Sequence, residues 1–301
     1  MSEASAIEFE RDRPFLTGLA YRMLGSFADA QDIVQDAFLR WHGAAKADIA
    51  NRRGWLATVV TRLCLDRLGS ARARRESYVG AWLPDPVVET LAAPEREAPD
   101  ARIDAPVALM LAMERLSPLE RAAFVLHDLM DIEMGELSAA LQRSEGACRQ
   151  LLMRARAHVG EPKARFPVAT EEGARIAAAF FAAVETGEVG PLRDLLAEQA
   201  VMISDGGGKV IATLNPVRGG DKVYRFFRGI AAKRRPGRWS WSGPLTVSGL
   251  PGYVAIDANG ILHTTALDIE NGRITAVYTV RNPDKLKGLG ELAALQTGNA
   301  R

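Results

Sequence analysis

Glu133-Met-Gly-Glu-Leu-Ser-Ala-Ala-Leu141, Gln142-Arg143 and Ser144-Glu-Gly-Ala-Cys-Arg-Gln-Leu-Leu-Met-Arg-Ala-Arg156 follow one another without a break. The first run keeps a helical period, the central pair is a tight turn, and the last run is a second helix with two chemically different faces. Ala147, Cys148, Leu151, Leu152 and Ala155 fall on one side of that helix. Glu145, Arg149, Met153 and Arg156 fall on the other, with Gln150 and Arg154 along the flank. Ser144 stands at the N-cap position, where its hydroxyl closes the first turn. A short helix that packs on one side and carries arginines on the other is what the DNA major groove accepts. It is also what a solvated charged helix of an ordinary bundle looks like, and this stretch alone leaves both readings open.

The chain has 301 residues, 48% of them hydrophobic. That length accommodates two or three domains, and that composition supports packed cores and argues against wholesale disorder. The formal charge of +1 averages over uneven segments. Arg62, Arg67, Arg72, Arg74 and Arg75 form one basic cluster, and Arg143 to Arg165 forms another. Between them, Asp85 to Asp104 is acidic and proline-rich. Charges farther apart than roughly 8–10 Å are screened at cellular salt, so local fields and not the whole-chain balance govern attraction to phosphates. Cys64 and Cys148 offer neither zinc spacing nor a disulfide framework and read as small core residues. The opening Met-Ser-Glu-Ala-Ser-Ala lacks the parts of a signal peptide, and no apolar run reaches the length of a membrane span. The expectation is a soluble, cytoplasmic chain with no membrane partner.

Three blocks separate by pattern. From about Ile7 to Tyr78 the period is helical, with stripes Phe15–Leu19–Met23–Leu24, Ile33–Val34–Ala37–Phe38–Trp41 and Trp55–Leu56–Val59–Val60–Leu63–Cys64. Val79 to about Arg102 carries Pro84, Pro86, Pro94 and Pro99 and reads as a linker. Helices resume from Pro106 to Val159. After Pro162 and Pro167, amphipathic helices are expected at Arg175–Val184, Leu192–Leu196 and Gly219–Ala232. The period then shifts toward two at Trp239/Trp241, Leu245/Val247, Tyr253–Ile256, Ile261–Leu267 and Ile274–Val280, with turns at Ala258-Asn-Gly260 and Glu270-Asn-Gly272. This last block is expected to be an α+β domain, helices followed by a curved antiparallel sheet.

This order of segments resembles a bacterial extracytoplasmic-function sigma factor. Ala20-Tyr-Arg-Met-Leu-Gly25 with Asp29-Ala-Gln-Asp-Ile-Val-Gln-Asp-Ala-Phe-Leu-Arg-Trp41 looks like that family's polymerase-binding helix. Gly54-Trp-Leu-Ala-Thr-Val-Val-Thr-Arg-Leu-Cys-Leu-Asp-Arg67 looks like the helix that melts and reads the minus-ten promoter element. Leu116-Ser-Pro-Leu-Glu-Arg-Ala-Ala-Phe-Val-Leu126, with residues 133–156, looks like the domain that reads the minus-thirty-five element. Trp82-Leu-Pro-Asp-Pro86, Asp205-Gly-Gly-Gly-Lys209 and Asn282-Pro-Asp-Lys-Leu286 resemble signatures of the sigma-J-like subgroup, whose members carry a C-terminal SnoaL-like (NTF2-like) domain. Asp85 replaces the subgroup's usual Glu, which shortens the reach and keeps the charge.

The resemblance implies roles. Asp32, Gln35, Asp36, Leu39 and Arg40 would grip the polymerase clamp, a mixed acidic and apolar face suiting a basic helical partner. Arg62 and Asp66 share a face near where the family captures an unstacked base, and Arg67, Arg72, Arg74 and Arg75 supply cations for the backbone. Ser144, Glu145 and Arg149 lie where helix-turn-helix proteins touch base edges, while Arg143, Arg154 and Arg156 would hold phosphates. An NTF2-like cone encloses a pocket, and Asp205, Asp221, Asp257, His263 and Tyr278 are the residues there with acid–base chemistry. His263 is a lone histidine in a strand and reads as structural. The glycine run lacks the spacing and the following Ser or Thr of a phosphate loop. It suits a turn whose bare backbone approaches another surface.

The resulting expectation is multidomain. All-α sigma-2 (residues 7–78) and sigma-4 (residues 104–160, helix-turn-helix) domains flank a linker (79–103), and an α+β NTF2-like (SnoaL-like) cone-shaped domain (168–290) follows. The chain would direct promoter recognition and transcription initiation, with core RNA polymerase and promoter DNA as partners, and without enzymatic activity, metal or cofactor. Docking of Asp205, Gly206, Gly207, Gly208 and Lys209 on Trp82, Leu83, Pro84, Asp85 and Pro86 and on the sigma domains would regulate it in cis. Asn282, Pro283, Asp284, Lys285 and Leu286 would clamp the tail or take part in the switch. An anti-sigma factor would then not be required. The alternative is a bifunctional DNA-binding protein whose NTF2-like pocket senses or turns over a small-molecule ligand. A simple helix-turn-helix repressor leaves the first block unexplained.

Overall fold

In the computed structural model the described residues are 3–44, 49, 51–76, 78–89, 106–160, 170–233, 240–287 and 289, without the side chains of 3–5, 70–76 and 170. They fall into two compact units: Met1–Ser77 with Glu95–Lys163, and Tyr78–Pro94 with Ala164–Arg301. No helix among the described residues is long and apolar enough to cross a membrane.

The first unit is helical. α1 (Glu3–Leu24), α2 (Phe27–Gly43) and α3 (Arg52–Glu76) pack on one another through the expected stripes. Phe9, Leu16, Leu19, Ile33, Val34, Ala37, Leu56, Val60 and Cys64 are buried between them. Trp41 meets Trp55 at 5.7 Å and Tyr21 stacks on Phe27 at 4.4 Å. Ser26 caps α2 by accepting from the Asp29 N–H. α4 (Val107–Met113), α5 (Pro118–Phe124), α6 (Met134–Leu141) and α7 (Glu145–Val159) form a second bundle, with a π-helical turn, Val125–Leu129, extending α5. Met110, Met113, Phe124, Leu137, Cys148, Leu151, Leu152 and Ala155 fill its centre. Burial pushes both the Cys64 and the Cys148 thiol up, as suits core residues and not nucleophiles. α3 packs against α5 and α6, which joins the two bundles.

The second unit is α+β. α8 (Thr170–Thr186), one-turn α9 (Leu192–Leu195) and α10 (Gly220–Ala232) accompany eight strands: β1 (Val88–Glu89), β2 (Leu196–Asp205), β3 (Val217–Arg218), β4 (Ser240–Trp241), β5 (Leu245–Val247), β6 (Leu250–Ile256), β7 (Leu262–Glu270) and β8 (Arg273–Val280). The sheet order is β1-β5-β6-β7-β8-β2-β3, with β4 beside β6. Phe180, Phe181, Leu192, Met202, Val223, Phe227, Tyr253, Leu267 and Val277 are buried as one core. Each fully buried aromatic there contributes about 1.5–3 kcal/mol.

Two expectations need correction. The sheet is mixed: β2 runs parallel to β8, pairing Met202 with Val277 and Asp205 with Val280. Helix was expected as far as Leu196, yet Leu196 opens β2, because the helix stops after one turn. A register shift between Leu196 and Val201 exposes Glu198 and Gln199 together, which erases the alternation that marks a strand. The proline-rich segment also carries structure. Val88 and Glu89 pair with Val247 and Thr246, so residues 78–89 fold with the second unit. Residues 90–103 of the expected linker, and Trp239, lie outside the described residues.

Candidate functional site

Four groups of residues carry the chemistry. On α2, burial of Ala30, Ile33, Val34, Ala37 and Trp41 turns Asp32, Gln35, Asp36, Leu39 and Arg40 outward. Leu39 is 59% exposed, an apolar residue in an otherwise charged patch. That is the composition of a contact surface for a basic amphipathic helix.

On α3, Arg62 and Asp66 are exposed. Arg62 donates at 3.4 Å to the carbonyls of Ala140 and Ala139 at the C-terminal end of α6, where unpaired carbonyls favour a cation. Arg67 bridges Asp29 at 3.2 Å and Asp32 at 3.1 Å. A residue expected on DNA and one expected on polymerase are thus joined. Arg72, Arg74 and Arg75 continue the helix, and their side chains lie outside the described residues.

The α6–α7 pair forms because Gln142 adopts a left-handed conformation (φ 53°) and its N–H returns to the carbonyls of Ala139 and Ser138. Ser144 then starts α7 by accepting from Ala147 at 3.3 Å. Arg143, Ser144, Glu145, Arg149, Arg154 and Arg156 are all exposed. Among the described residues, Arg149 is held only by Glu145, 2.6 Å away and one turn back. Arg154 and Arg156 have intramolecular work in addition: Arg154 meets Glu120 at 2.8 Å, and Arg156 makes a bidentate pair with Asp128 at 2.7 and 2.8 Å.

Glu120 went unnoticed in sequence, although Ser117-Pro-Leu-Glu120 is a capping-box spacing. Its carboxylate takes the Ser117 N–H at 3.0 Å and anchors α7 through Arg154. Burial alone would raise its pKa, but the bonds to Ser117 and Arg154 outweigh burial and hold it below the usual range. Because the folded value is depressed, its stabilisation is complete above the unfolded value and disappears as pH falls through the folded one. Glu120→Gln is therefore expected to cost about 1–2 kcal/mol at pH 7, and the difference from the unsubstituted chain should close below about pH 4. Urea unfolding at both pH values checks this.

The fourth group centres on Asp205, whose side chain is fully buried. Its Oδ1 accepts from the Tyr78 hydroxyl at 2.6 Å and from the Gly207 N–H at 3.0 Å. Its Oδ2 accepts from the Leu83 N–H at 2.9 Å and from Lys285 Nζ at 2.9 Å. Lys285 also donates to the Leu83 carbonyl and lies 4.4 Å over the Trp82 ring. Asn282 donates from Nδ2 to Tyr78 at 2.8 Å and caps the 3-10 turn at Pro283–Lys285. Lys209 pairs with Asp284. Leu83, Pro84, Asp85, Pro86 and Leu286 are buried and Trp82 half-buried. Gly207 has φ +61°, and a Cβ there would fall 2.4 Å from Asn282 Nδ2. Gly208 likewise leaves room for Val79, and a Cβ at Gly206 would meet the Val210 carbonyl at 2.4 Å. Burial, then the bond to Asp205, pushes the Tyr78 phenol up, so it stays a donor. Tyr78 is a member that sequence reading missed: it ends the helical block with no motif of its own.

The acid–base candidates separate. Asp205 serves the cluster just described. Asp221 is exposed and paired with Arg225. Tyr278 is buried in β8. Asp257 and His263 line a cavity of about 850 Å³ in the second unit, together with Arg281. Asp257 is held by Arg281 at 2.7 Å and by the N–H groups of Asn259 and Ile261. Burial lowers His263 to about 4, so it is neutral at physiological pH and a poor base.

Comparison with known proteins agrees with this arrangement of helices and signatures. A family model described as Sigma-70 region 2 matches residues 9–74, and one described as Sigma-70, region 4 matches residues 107–159. ECF RNA polymerase sigma factor SigJ of Mycobacterium tuberculosis is 39% identical over 98% of this chain and 97% of its own length. The probable ECF RNA polymerase sigma factor SigI of the same organism is 31% identical, over 92% of this chain and 93% of its own. The crystal structure of M. tuberculosis SigJ superposes with a TM-score of 0.75 at 35% identity, covering 93% of this chain and 98% of that one. With that identity along nearly its whole length, this chain belongs to the extracytoplasmic-function RNA polymerase sigma factors, which direct the polymerase to promoters.

Proposed function

We propose that the sigma factor works in three parts and that its C-terminal unit, an NTF2-like cone, controls the other two in cis. Residues 7–78 engage core polymerase through Asp32, Gln35, Asp36, Leu39 and Arg40. They engage the minus-ten element through Arg62, Asp66, Arg67, Arg72, Arg74 and Arg75. Residues 104–160 read the minus-thirty-five element with Ser144, Glu145 and Arg149, and hold phosphates with Arg143, Arg154 and Arg156. The observation that carries the regulatory part is the buried Asp205 carboxylate, which ties Tyr78 and Leu83 to the tail through Lys285.

The physical consequence concerns reach. Residues 78–89 connect the two helical domains along the chain. While they are strapped to the sheet, only residues 90–105 remain to span the gap, at most about 55 Å when extended. Released, residues 77–105 reach about 100 Å. Because the regulatory unit is tethered, even a weak strap is occupied at a millimolar-scale effective concentration.

Promoter-specific run-off transcription with core polymerase tests this. Full-length protein is expected to initiate, and Asp205→Ala and Lys209→Ala to change the amount of transcript severalfold. Unchanged output from folded variants would remove cis regulation and leave the sigma assignment intact. The cavity favours a second reading beside the first, in which a small molecule is sensed. Neutral His263 and the ion-paired Asp257 suit binding better than turnover.

A further inference from the structure

α10 reads Gly220-Asp-Lys-Val-Tyr-Arg-Phe-Phe-Arg-Gly-Ile-Ala-Ala232, with Lys233 at its C-cap. Val223 and Phe227, one turn apart, are buried in the core, which turns Lys222, Arg225, Arg228 and Lys233 to solvent. The cationic face is wider than this helix. Arg193 of α9, its guanidinium 4.9 Å over the Tyr224 ring, and Arg218 of β3 are exposed on elements that pack against α10. The exposed carboxylates of α9, β2, β3 and α10 are Asp194, Glu198 and Asp221. Among the described residues one ion pair joins the two sets, Asp221 with Arg225. The bond to Arg225, with the charges of Arg193 and Arg228 beside it, holds the Asp221 carboxyl below its ordinary range. One carboxylate thus faces three guanidiniums.

This arrangement works against the helix. Lys222, Arg225 and Arg228 stand three residues apart, and like charges at that spacing repel. Lys222 also lies in the first turn, at the positive end of the helix dipole. Gly229 adds an entropic cost inside the helix, although a Cβ there would meet nothing within 4 Å. Internal packing requires none of these features. A polyanion lying along the face would neutralise the row, and the bare backbone at Gly229 lets it come close.

The dimensions fit a nucleic-acid strand. From Lys222 to Lys233 the helix runs about 16 Å, which faces about five successive phosphates of one duplex strand. The chain itself brings DNA near. Only residues 160–169 join α7, which carries Arg149, to α8, and they span at most about 40 Å when extended. Downstream of the minus-thirty-five element the duplex leads to the minus-ten element and the sigma-2 domain, so the upstream duplex is the one left for the second unit. Arg225 and Lys233 also border the cavity, but Arg193, Arg218, Lys222 and Arg228 do not, so this face is more than the rim of a pocket.

We propose that the α10 face, with Arg193 and Arg218, binds the phosphate backbone of duplex DNA upstream of the minus-thirty-five element without reading its sequence. This rests on α7 being the reader of that element, which brings the duplex to the second unit. Phosphate contacts position a protein on DNA, and each releases counterions, so their number appears in the salt dependence of binding. Tethering makes even weak contacts effective.

The test uses holoenzyme, core polymerase with the full chain, and two promoter fragments. One ends at the minus-thirty-five element and the other continues upstream for two turns of duplex. Lys222→Ala with Arg228→Ala removes two cations that lie off the cavity, relieves their repulsion and adds helix-favouring residues, and circular dichroism confirms the fold. On the longer fragment the variant's log–log salt slope should be shallower by about 2, so that affinity falls about tenfold less between 50 and 200 mM salt. The shorter fragment should show no difference, and exchanging the upstream sequence should leave the effect intact. An unchanged slope on the longer fragment, or an equal change on both, overturns the proposal. So does unchanged DNA binding with weaker binding of core polymerase, which would assign the face to an acidic protein surface. An effect confined to one upstream sequence overturns the backbone contact. Substituting the minus-thirty-five element tests α7 separately: a holoenzyme indifferent to it would overturn the promoter reading, while the slope is measured with the element intact.

Discussion

Asp205→Ala is expected to lower the free energy of unfolding of the second unit by about 3–5 kcal/mol, the cost of removing one partner of a buried ion pair. The reason lies in how completely the carboxylate is used. Each oxygen accepts two hydrogen bonds, from Tyr78 and Gly207 at Oδ1 and from Leu83 and Lys285 at Oδ2. With alanine in place, the Lys285 ammonium, 9% exposed, loses the Asp205 carboxylate and keeps the Leu83 carbonyl and the Trp82 and Tyr78 rings. The Leu83 N–H, also buried, loses its acceptor. Replacing both charges, Asp205→Leu with Lys285→Met, removes the buried ammonium together with its carboxylate and should recover a large part of the loss. Urea unfolding followed by tryptophan fluorescence and by circular dichroism would measure both variants. A loss under 1 kcal/mol for Asp205→Ala would show that the strap is held by apolar packing of Leu83, Pro84 and Pro86 and not by the carboxylate.

For promoter selectivity the largest effect is expected at Arg149. Its side chain is 64% exposed, and its one pairing among the described residues, to Glu145 across a helical turn, is of a kind worth a few tenths of a kcal/mol. Arg149 is therefore cheaply released to form a bidentate contact with a guanine edge. Arg149→Ala should leave stability unchanged and weaken promoter recognition by about 1–3 kcal/mol, roughly 5- to 150-fold, with discrimination relaxed at one position. Arg154→Ala should do the reverse, because its Glu120 partner is nearly buried: lower stability and an even loss across promoters. Run-off transcription on promoters singly substituted in the upstream element separates the two. An even loss for Arg149→Ala would demote it to a phosphate contact.

What could be read without a structure was local. A side chain's face on a helix depends only on its position in a 3.6-residue repeat, so the outward set on α2 and the buried and exposed faces of α7 followed from sequence. Turns are equally local: Asn271 and Gly272 both take positive φ between β7 and β8, as an Asn-Gly hairpin requires. The three short signatures could be recognised one by one. The docking of the glycine turn on the Trp82 signature was an expectation that no spacing along the chain enforces, and the place of Asn282–Leu286 in the same cluster was left open.

The tertiary structure decided what depends on distant partners. β2 is invisible to periodicity because its register shifts against β8, and its parallel pairing needs a neighbour more than seventy residues away in the chain. β1 is two residues long and exists only where β5 offers an open edge. Tyr78 has no motif, and its part is assigned by a carboxylate 127 residues later. By itself the sequence determined which segments are helical, which faces they bury and which family the chain resembles, since short-range periodicity and capping suffice for that. Sheet order, the strap and the cavity were left to the folded chain, because a buried charge or an open strand edge is satisfied only by whatever long-range packing brings to it.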